Sequence, residues 1–419
     1  MIKTKVLNSG IRLIVEDKKN LEGVSFRMYF KTGSINETPE IFGISHLIEH
    51  MLFKGTKKRT AYEIAYELEK IGAQVNAYTS KESTCYYTYS TSDALETCVE
   101  VLSDMFFNST FDEKELLREK NVVLEEMKMY KDQPSDVVDT LNYELFFENT
   151  PLAHDVIGNE ESVNAISRQQ ILDYIHKYYT PNNLIICFAG HVDFDKALML
   201  TEKYIESNFK VKKAPKFEPT NNFFTPKLAQ IKQSMKTNQS HVIISYPIEN
   251  CYSDSVNCSL LNSCLASGMS SRLFQIIREK LGLVYAIFCG FNKHEIGGMF
   301  YIQFATSTKN VPLALKTIKQ ELNKLCKEGF TKDELNAAKT AIISNIKLGC
   351  DNVQRCAHAN ITNLIYRNKI LTKSERIKMV KKATLKQLND FSTNLFNLKN
   401  YTICMVGENT KIDLLKNFN

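Results

Sequence analysis

The 419-residue sequence contains no tryptophan, no C-x-x-C motif and no apolar run that could span a membrane. A transmembrane helix needs about 18 or more consecutive apolar residues, so we expect no membrane segment and no membrane partner. The first twenty residues lack the apolar core and the small-residue cleavage site of a signal peptide. The eleven cysteines are scattered through apolar segments, as buried reduced thiols are. We therefore expect a cytoplasmic protein.

Concentrated positive charge is also absent. Lysine and arginine outnumber aspartate and glutamate by 53 to 47, but the basic residues form only short clusters such as Lys381 and Lys382. A nucleic-acid-binding surface is usually a basic stripe, so a solvated surface is the better interpretation, and we expect no nucleic-acid partner.

The chain resembles itself across its two halves. FDEKELLREKNVVLEEMKM, from Phe111, is similar to FTKDELNAAKTAIISNIKL, from Phe330, an offset of 330 − 111 = 219. The segment that ends in IICFAG at Gly190 is similar to the one that ends in ICMVG at Gly407, an offset of 407 − 190 = 217. Two offsets that agree this closely indicate an internal duplication.

The duplication predicts two homologous domains. We place the boundary in the proline-containing, aperiodic stretch 207–227, which gives domains at 1–214 and 215–419. Strand-like alternation and helical periodicity follow one another in mixed order in each copy, which predicts an α+β fold with α/β layers. One helix should run through TAYEIAYELEKIG and bury four apolar residues: Ala61, Ile64, Ala65 and Leu68.

The segment SHLIEHMLFKG places His46 and His50 four residues apart, with Glu49 beside the second histidine. On a helix, positions i and i+4 project from one side, so both imidazoles can offer a nitrogen to one ion. Glu49 lies close enough to act on a water molecule without being a ligand. An exposed helix that happens to carry two histidines is the plainer interpretation. The pattern favours a metal site only if a third ligand exists.

The strongest candidates for a third ligand lie in EKNVVLEEMKMYKDQP, where a second helix is predicted that stops before Pro134. Glu119 and Glu126 are seven residues apart, about two helical turns, and therefore share a face. Charged helix residues are usually solvated surface acids, which is the plainer interpretation of each. The residues alone leave the choice open.

HLIEH, followed 126 − 50 = 76 residues later by Glu126 in E-x-x-V-V-x-x-E, resembles the inverted H-x-x-E-H signature of the inverzincin metallopeptidases, also called the pitrilysin or insulinase family. The similarity runs from LNSGIRLIVED through GAQVNAYTSKESTCYY to SGMSSRLFQIIREKLGLVY. With two domains instead of four, the chain most resembles the shorter, processing-peptidase-like subfamily. The resemblance implies a processing-peptidase-like metallohydrolase fold that forms half of a clamshell.

The resemblance also implies roles for individual residues. One Zn²⁺ per chain would be held by His46, His50 and Glu126, with Glu49 as general base and Glu119 orienting a ligand. In the second half, Cys264 stands where His46 would fall, because 46 + 218 = 264, so only the first half is expected to bind zinc.

Three further features are implied for substrate binding. Taken alone, QVNAYTSKESTCYYTYS is an ordinary β-hairpin, but the family uses this strand as an edge where Asn76 and Ala77 pair with an extended peptide. Taken alone, Arg278 and Tyr285 are an ordinary surface residue and a strand aromatic, but they match a family pair that binds the substrate and stabilises the oxyanion. In two-domain relatives this pair faces the zinc of a partner chain. We therefore expect a homodimer, or a heterodimer with another family subunit, in which the pair acts in trans.

The expected function is a zinc-dependent endopeptidase that cleaves unfolded or extended peptides in a closed chamber. Two alternatives stay open. A non-catalytic scaffold or partner subunit would keep the fold, although such relatives usually lack an intact H-x-x-E-H. A presequence-type processing peptidase would use two acids to read a basic residue near the cut, and here only Asp136 is kept, since Thr140 occupies the other position.

Overall fold

The computed structural model describes residues 1–209, 224–408 and 411–419. The predicted domain boundary between residues 214 and 215 lies outside the described residues and stays a prediction. The described residues form two compact units. The first unit comprises Met1–Met127, His154–Phe217 and Leu348–Thr372, and the second comprises Lys128–Ala153, Glu218–Lys347 and Lys373–Asn419, in each case without the residues that are not described.

The described strands form one sheet in each unit. They are β1 Ile2–Val6, β2 Arg12–Asp17, β3 Gly23–Phe30, β4 Gln74–Thr79, β5 Thr84–Thr91 and β6 Leu184–Gly190 in the first, and β7 Ala229–Ser234, β8 Ser240–Ile248, β9 Ile287–His294, β10 Gly297–Thr306 and β11 Thr402–Gly407 in the second.

The described α-helices are, in chain order, α1 Ile44–Leu52, α2 Ala61–Glu69, α3 Leu95–Asn108, α4 Glu113–Lys131, α5 Pro134–Phe146, α6 Glu160–Ala165, α7 Arg168–Tyr178, α8 Phe194–Tyr204, α9 Ser255–Leu265, α10 Val311–Glu328, α11 Lys332–Gly349, α12 Val353–Arg367, α13 Lys373–Lys382, α14 Leu385–Phe396 and α15 Leu414–Phe418. Phe274–Lys280 adds a π-helical segment. None of the helices in the described ranges combines the length and the apolar character needed to cross a bilayer.

The two sheets repeat one topology. The order β2-β6-β3-β5-β4 in the first sheet recurs as β7-β11-β8-β10-β9 in the second, and β1 adds one strand beside β2. In both sheets the first pair in this order is parallel and the other pairs are antiparallel. Helices α4 and α11 also begin 332 − 113 = 219 residues apart. The duplicated α+β fold predicted from the sequence is therefore confirmed.

The first sheet is buried on both faces because its central strands alternate between two apolar clusters. Phe26 of β3 and Phe188 of β6 point into the larger cluster and stack with ring centroids 4.9 Å apart. On the opposite face, Ile185 and Cys187 of β6 pack with Ile361 of α12. A helix from the second half of the sequence thus covers this face of the first unit.

The second sheet is also covered by a helix from the other half of the sequence. Ile244 of β8 belongs to the larger cluster of the second unit, whereas its neighbour Ile243 packs with Val138 and Leu141 of α5. Asn142 of α5 accepts a hydrogen bond of 2.7 Å from the Ser245 hydroxyl. A helix from the first half of the sequence therefore covers one face of the second unit.

Helix α2 forms where the sequence predicted it, between a Thr60 cap and Gly72. The Thr60 hydroxyl accepts a hydrogen bond from Glu63 N, which begins the helix, and Gly72 has φ +67° at its end. The predicted apolar stripe is wrong in two of its four positions, because Ile64 and Leu68 are buried whereas Ala61 and Ala65 are exposed. The helix therefore contacts the core through Ile64 and Leu68 alone of these four residues.

Candidate metal centre

Helix α1, which carries both candidate histidines, is fixed at its first turn. Gly43 precedes it with φ +92°, and a Cβ at this position would lie 2.5 Å from the Ile157 carbonyl oxygen, so only glycine fits. The buried carboxylate of Glu37 accepts hydrogen bonds from Gly43 N and Ser45 N at 2.8 and 2.9 Å. A negative charge at a helix N-terminus is favourable, and these bonds satisfy backbone donors that the helix leaves unpaired.

His46 and His50 project from the same side of α1, and their ring centroids lie 4.7 Å apart. Helix α4 brings Glu126 to both rings. Its Oε2 atom lies 3.9 Å from His46 Nε2 and 3.6 Å from His50 Nε2. The three candidate ligand atoms all lie within 4.8 Å of one another.

This donor set fits a zinc ion. Two imidazole nitrogens and one carboxylate oxygen are the ligands of many catalytic zinc sites, in which a fourth position stays open. Among the described residues, no other group of histidine, cysteine, aspartate and glutamate meets this geometry. Cys264, which the sequence offset aligned with His46, is buried near the end of α9, whereas His46 lies in the first turn of α1.

Glu119 lies beside His50, and its predicted role of orienting a ligand stays a prediction. Its buried carboxylate contacts His50 Nδ1 at 3.2 Å through Oε2 and Lys54 Nζ at 2.9 Å through Oε1. A carboxylate on one ring nitrogen places the proton there and leaves the other nitrogen to bind a metal. His50 Nε2, which faces Glu126, is therefore the available donor.

The electrostatics of the site favour a neutral ligand at His46. Burial lowers the pKa of the His46 imidazole to about 4, His50 acts in the same direction, and Glu126 and Asp155 oppose the shift. A histidine must be neutral to bind a metal. His46 is thus ready to act as a ligand at neutral pH without first losing a proton.

Glu49 lies on the same helix and contacts Thr79, a residue that the sequence analysis did not identify. The Thr79 hydroxyl donates to Glu49 Oε2 at 2.5 Å. Burial raises the pKa of the Glu49 carboxyl, and the hydrogen bond from Thr79 acts against that shift. A sequence signal for Thr79 did exist, because it is a polar residue in the alternating position that Val75 and Ala77 use to pack on the core.

Strand β4 is the outer strand of the first sheet, as expected for a peptide-binding edge. Asn76 is exposed, and Ala77 N donates to Asn76 Oδ1 at 2.8 Å. The roles of Asn76 and Ala77 stay predictions, but among the described strands β4 pairs on one side only, as strand addition requires.

Arg278 and Tyr285 belong to the second unit and contact each other. The Arg278 guanidinium lies 5.3 Å from the centre of the Tyr285 ring and 4.6 Å from that of Phe274. Tyr285 is 79% exposed, which is unusual for a large aromatic side chain. The pair is thus accessible to a ligand, and its predicted role stays a prediction.

Comparison of the sequence with family models gives two matches. Residues 12–160 match the model described as Insulinase (Peptidase family M16), and residues 165–342 match the model described as Peptidase M16 inactive domain. A Bacillus subtilis protein named Uncharacterized zinc protease YmxG is 35% identical over 97% of this chain and 98% of its own length. A Streptomyces coelicolor protein, also named an uncharacterized zinc protease, is 31% identical over 84% of this chain and 78% of its own length.

Solved structures share the fold over almost the whole chain. A structure from Pseudomonas fluorescens, described as a peptidase M16 inactive domain, superposes with a TM-score of 0.89 at 21% identity and covers 98% of this chain and 99% of its own. A protease from Helicobacter pylori gives a TM-score of 0.88 at 20% identity, with coverages of 97% and 99%.

Proposed function

Because the chain belongs to the insulinase family, peptidase family M16, we propose that it is a zinc-dependent endopeptidase that cleaves extended peptides. The observation that carries this proposal is the group of His46, His50 and Glu126, with the carboxylate of Glu49 on the same helix. The second half, with no such group among its described residues, would bind and orient substrate.

The residues would divide the chemistry as follows. His46, His50 and Glu126 would hold a zinc ion, which when bound would polarise a peptide carbonyl and make water more acidic. Glu49 accepts a proton from the attacking water and passes it to the departing amine. Its Oε2 atom is engaged by Thr79, so Oε1 is the oxygen that takes the proton.

Substrate selection would depend on backbone shape. A peptide that adds to β4 offers its main-chain groups to Asn76 and Ala77, and such pairing recognises an extended conformation more than a particular sequence. Folded proteins do not present such a strand, so unfolded peptides are the expected substrates.

We also propose that two chains pair around a closed chamber, as a homodimer or with another subunit of this family. The support is the accessible pair Arg278 and Tyr285, whose charge and hydroxyl suit a developing oxyanion in a partner's site. A cytoplasmic location is proposed from the eleven cysteines, all of which are free.

The direct test is to incubate a mixed pool of unstructured peptides with zinc-loaded wild type and with Glu49→Gln, and to map the cuts by mass spectrometry. We expect cuts only with wild type, and none after treatment with a chelator. Glu49→Gln should still bind zinc, because Glu49 is not a ligand. If wild type were inert with zinc bound, a scaffold or partner-subunit function would replace the proposal.

The same peptide map examines the presequence-processing alternative. Asp136 lies in the first turn of α5, and Thr140 follows one turn later on the same helix. Enrichment of arginine or lysine near the cuts would favour that alternative, whereas cuts without a basic preference would agree with the loss of the second acid.

A further inference from the structure

The alternation of side chains along β4 places Thr79 where an apolar residue is expected. Val75 and Ala77 pack against the larger cluster of the first unit, and Thr79 is the next residue on that face. A half-buried hydroxyl needs a partner, and here the partner is the carboxylate of Glu49 on α1, at 2.5 Å.

Strand β4 therefore has two connections to the chemistry. Its exposed edge carries Asn76 and Ala77, where the proposed peptide would pair, and its inner face holds Glu49 through Thr79. We infer that Thr79 is a positioning residue that ties the carboxylate of Glu49 to the peptide-binding strand. This inference rests on the proposed peptidase function and adds a residue to it.

The physical reason lies in the flexibility of the glutamate. A glutamate side chain has three rotatable bonds, and Glu49 is half-buried, so its carboxylate can rotate away from a productive position. Proton transfer requires the base to lie about 2.6–3.2 Å from the atom that carries the proton. A single bond from Thr79 to Oε2 removes most of this freedom and leaves Oε1 for the proton.

Strand β4 would thus position both the peptide and the carboxylate of Glu49. A peptide paired with β4 and a carboxylate bonded to β4 keep their mutual geometry even if α1 shifts slightly against the sheet. The position of the Glu49 carboxylate depends on its hydrogen bond with Thr79. Loss of this bond should slow the chemical step and leave peptide binding unchanged.

The test compares Thr79→Val, which removes the hydroxyl at nearly constant shape, with Thr79→Ser, which keeps it. The control is Thr88→Val, the same change at a buried threonine of the neighbouring strand β5. Thr88 pairs with Val75 of β4 and lies on the same face of the sheet. For each variant, kcat and KM are measured on a peptide that wild type cleaves. Zinc stoichiometry and the affinity of the metal-free protein for a fluorescent peptide, by anisotropy, are measured in parallel.

We expect Thr79→Val to lower kcat by about tenfold to a hundredfold, the usual cost of a displaced base. Its KM, zinc content and peptide affinity should match wild type, Thr79→Ser should recover most of kcat, and Thr88→Val should behave as wild type. Thr79→Val with unchanged kcat, or with kcat lost only in proportion to zinc or peptide binding, would overturn the inference.

Different results would overturn the peptidase function and the role of Thr79. A wild type that cleaves no peptide would overturn the proposed function, and the positioning role would fall with it. A wild type that cleaves peptides while Thr79→Val and Thr88→Val behave alike would overturn the role of Thr79 and leave the peptidase intact.

Discussion

Glu119 contacts His50 through one carboxylate oxygen and Lys54 through the other, so it links a candidate zinc ligand to a cation. Glu119→Gln keeps the shape but removes the charge that holds the His50 proton on Nδ1. We expect zinc affinity to fall about tenfold to a hundredfold, measured by competition with a chromogenic chelator. Glu113→Gln, the same change at an exposed position of α4, should leave affinity unchanged. Equal affinities for both variants would contradict the role of Glu119.

At the scale of single residues, the sequence could predict which side chains share one side of a helix, because helical periodicity alone determines this. The four-residue spacing of His46 and His50 is enough to place both rings on one side of α1. Glu119 and Glu126 share a face of α4, so periodicity alone could not decide which one contacts both histidines and which one contacts His50 alone. The alternation along β4 marks Thr79 as a polar residue in an apolar position, but it does not show that the hydroxyl contacts Glu49, because that contact joins a strand to a helix.

At the scale of elements, the turn after α1 is held to α3 by a buried charge cluster. The carboxylate of Asp104 on α3 accepts hydrogen bonds from Thr56, Arg59 and Asn108 at 2.7 to 2.8 Å. Burial alone would raise the pKa of Asp104, but these bonds outweigh burial and lower it. The carboxylate of Asp104 therefore holds the segment that follows α1 against α3.

Asp104→Asn is expected to lower the free energy of unfolding at pH 7 by about 1–3 kcal/mol, because a charged acceptor is lost from a buried site. A carboxyl whose pKa is lower in the folded protein stabilises it above the ordinary value of 3.8 and loses that effect as the pH falls through the folded pKa. The difference between variant and wild type should therefore shrink below pH 3.8.

The measurement is denaturant unfolding of the metal-free protein at several pH values. Glu100→Gln provides the control, because Glu100 binds the same Arg59 from a more exposed position and should cost less. A difference for Asp104→Asn that did not change with pH would show that the charge is not the source of the stabilisation.

At the scale of the whole molecule, the predicted action in trans has a clean test. A chain with Glu49→Gln and a chain with Arg278→Ala should each be nearly inactive alone. If Arg278 serves the partner's site, random exchange in a symmetric dimer makes half of the dimers hybrid, each with one intact site, so mixing should restore about a quarter of wild-type activity. The measurement is peptide cleavage after the two variants are mixed. A mixture of Glu49→Gln and Glu126→Gln is the control, because both residues serve their own chain's site and no hybrid dimer would contain an intact site.

The duplication was visible in the sequence because two pairs of segments kept nearly constant offsets. The sequence did not show which segments belong to each of the two units. Apolar periodicity shows that α5 and α12 each bury a face, but it does not show which sheet that face meets. Residues 128–153 join the second unit and residues 348–372 join the first, an exchange that only packing reveals.

This exchange has a consequence for how the protein is made. A ribosome releases the chain from its N-terminus, so the strands of the first sheet emerge more than 150 residues before α12, which covers one of their faces. Until then, apolar side chains such as Ile14 and Ile185 face water on a sheet that is otherwise formed. The nascent chain should therefore depend on chaperones between the synthesis of β6 and that of α12, and the first unit can close only when the protein is almost complete.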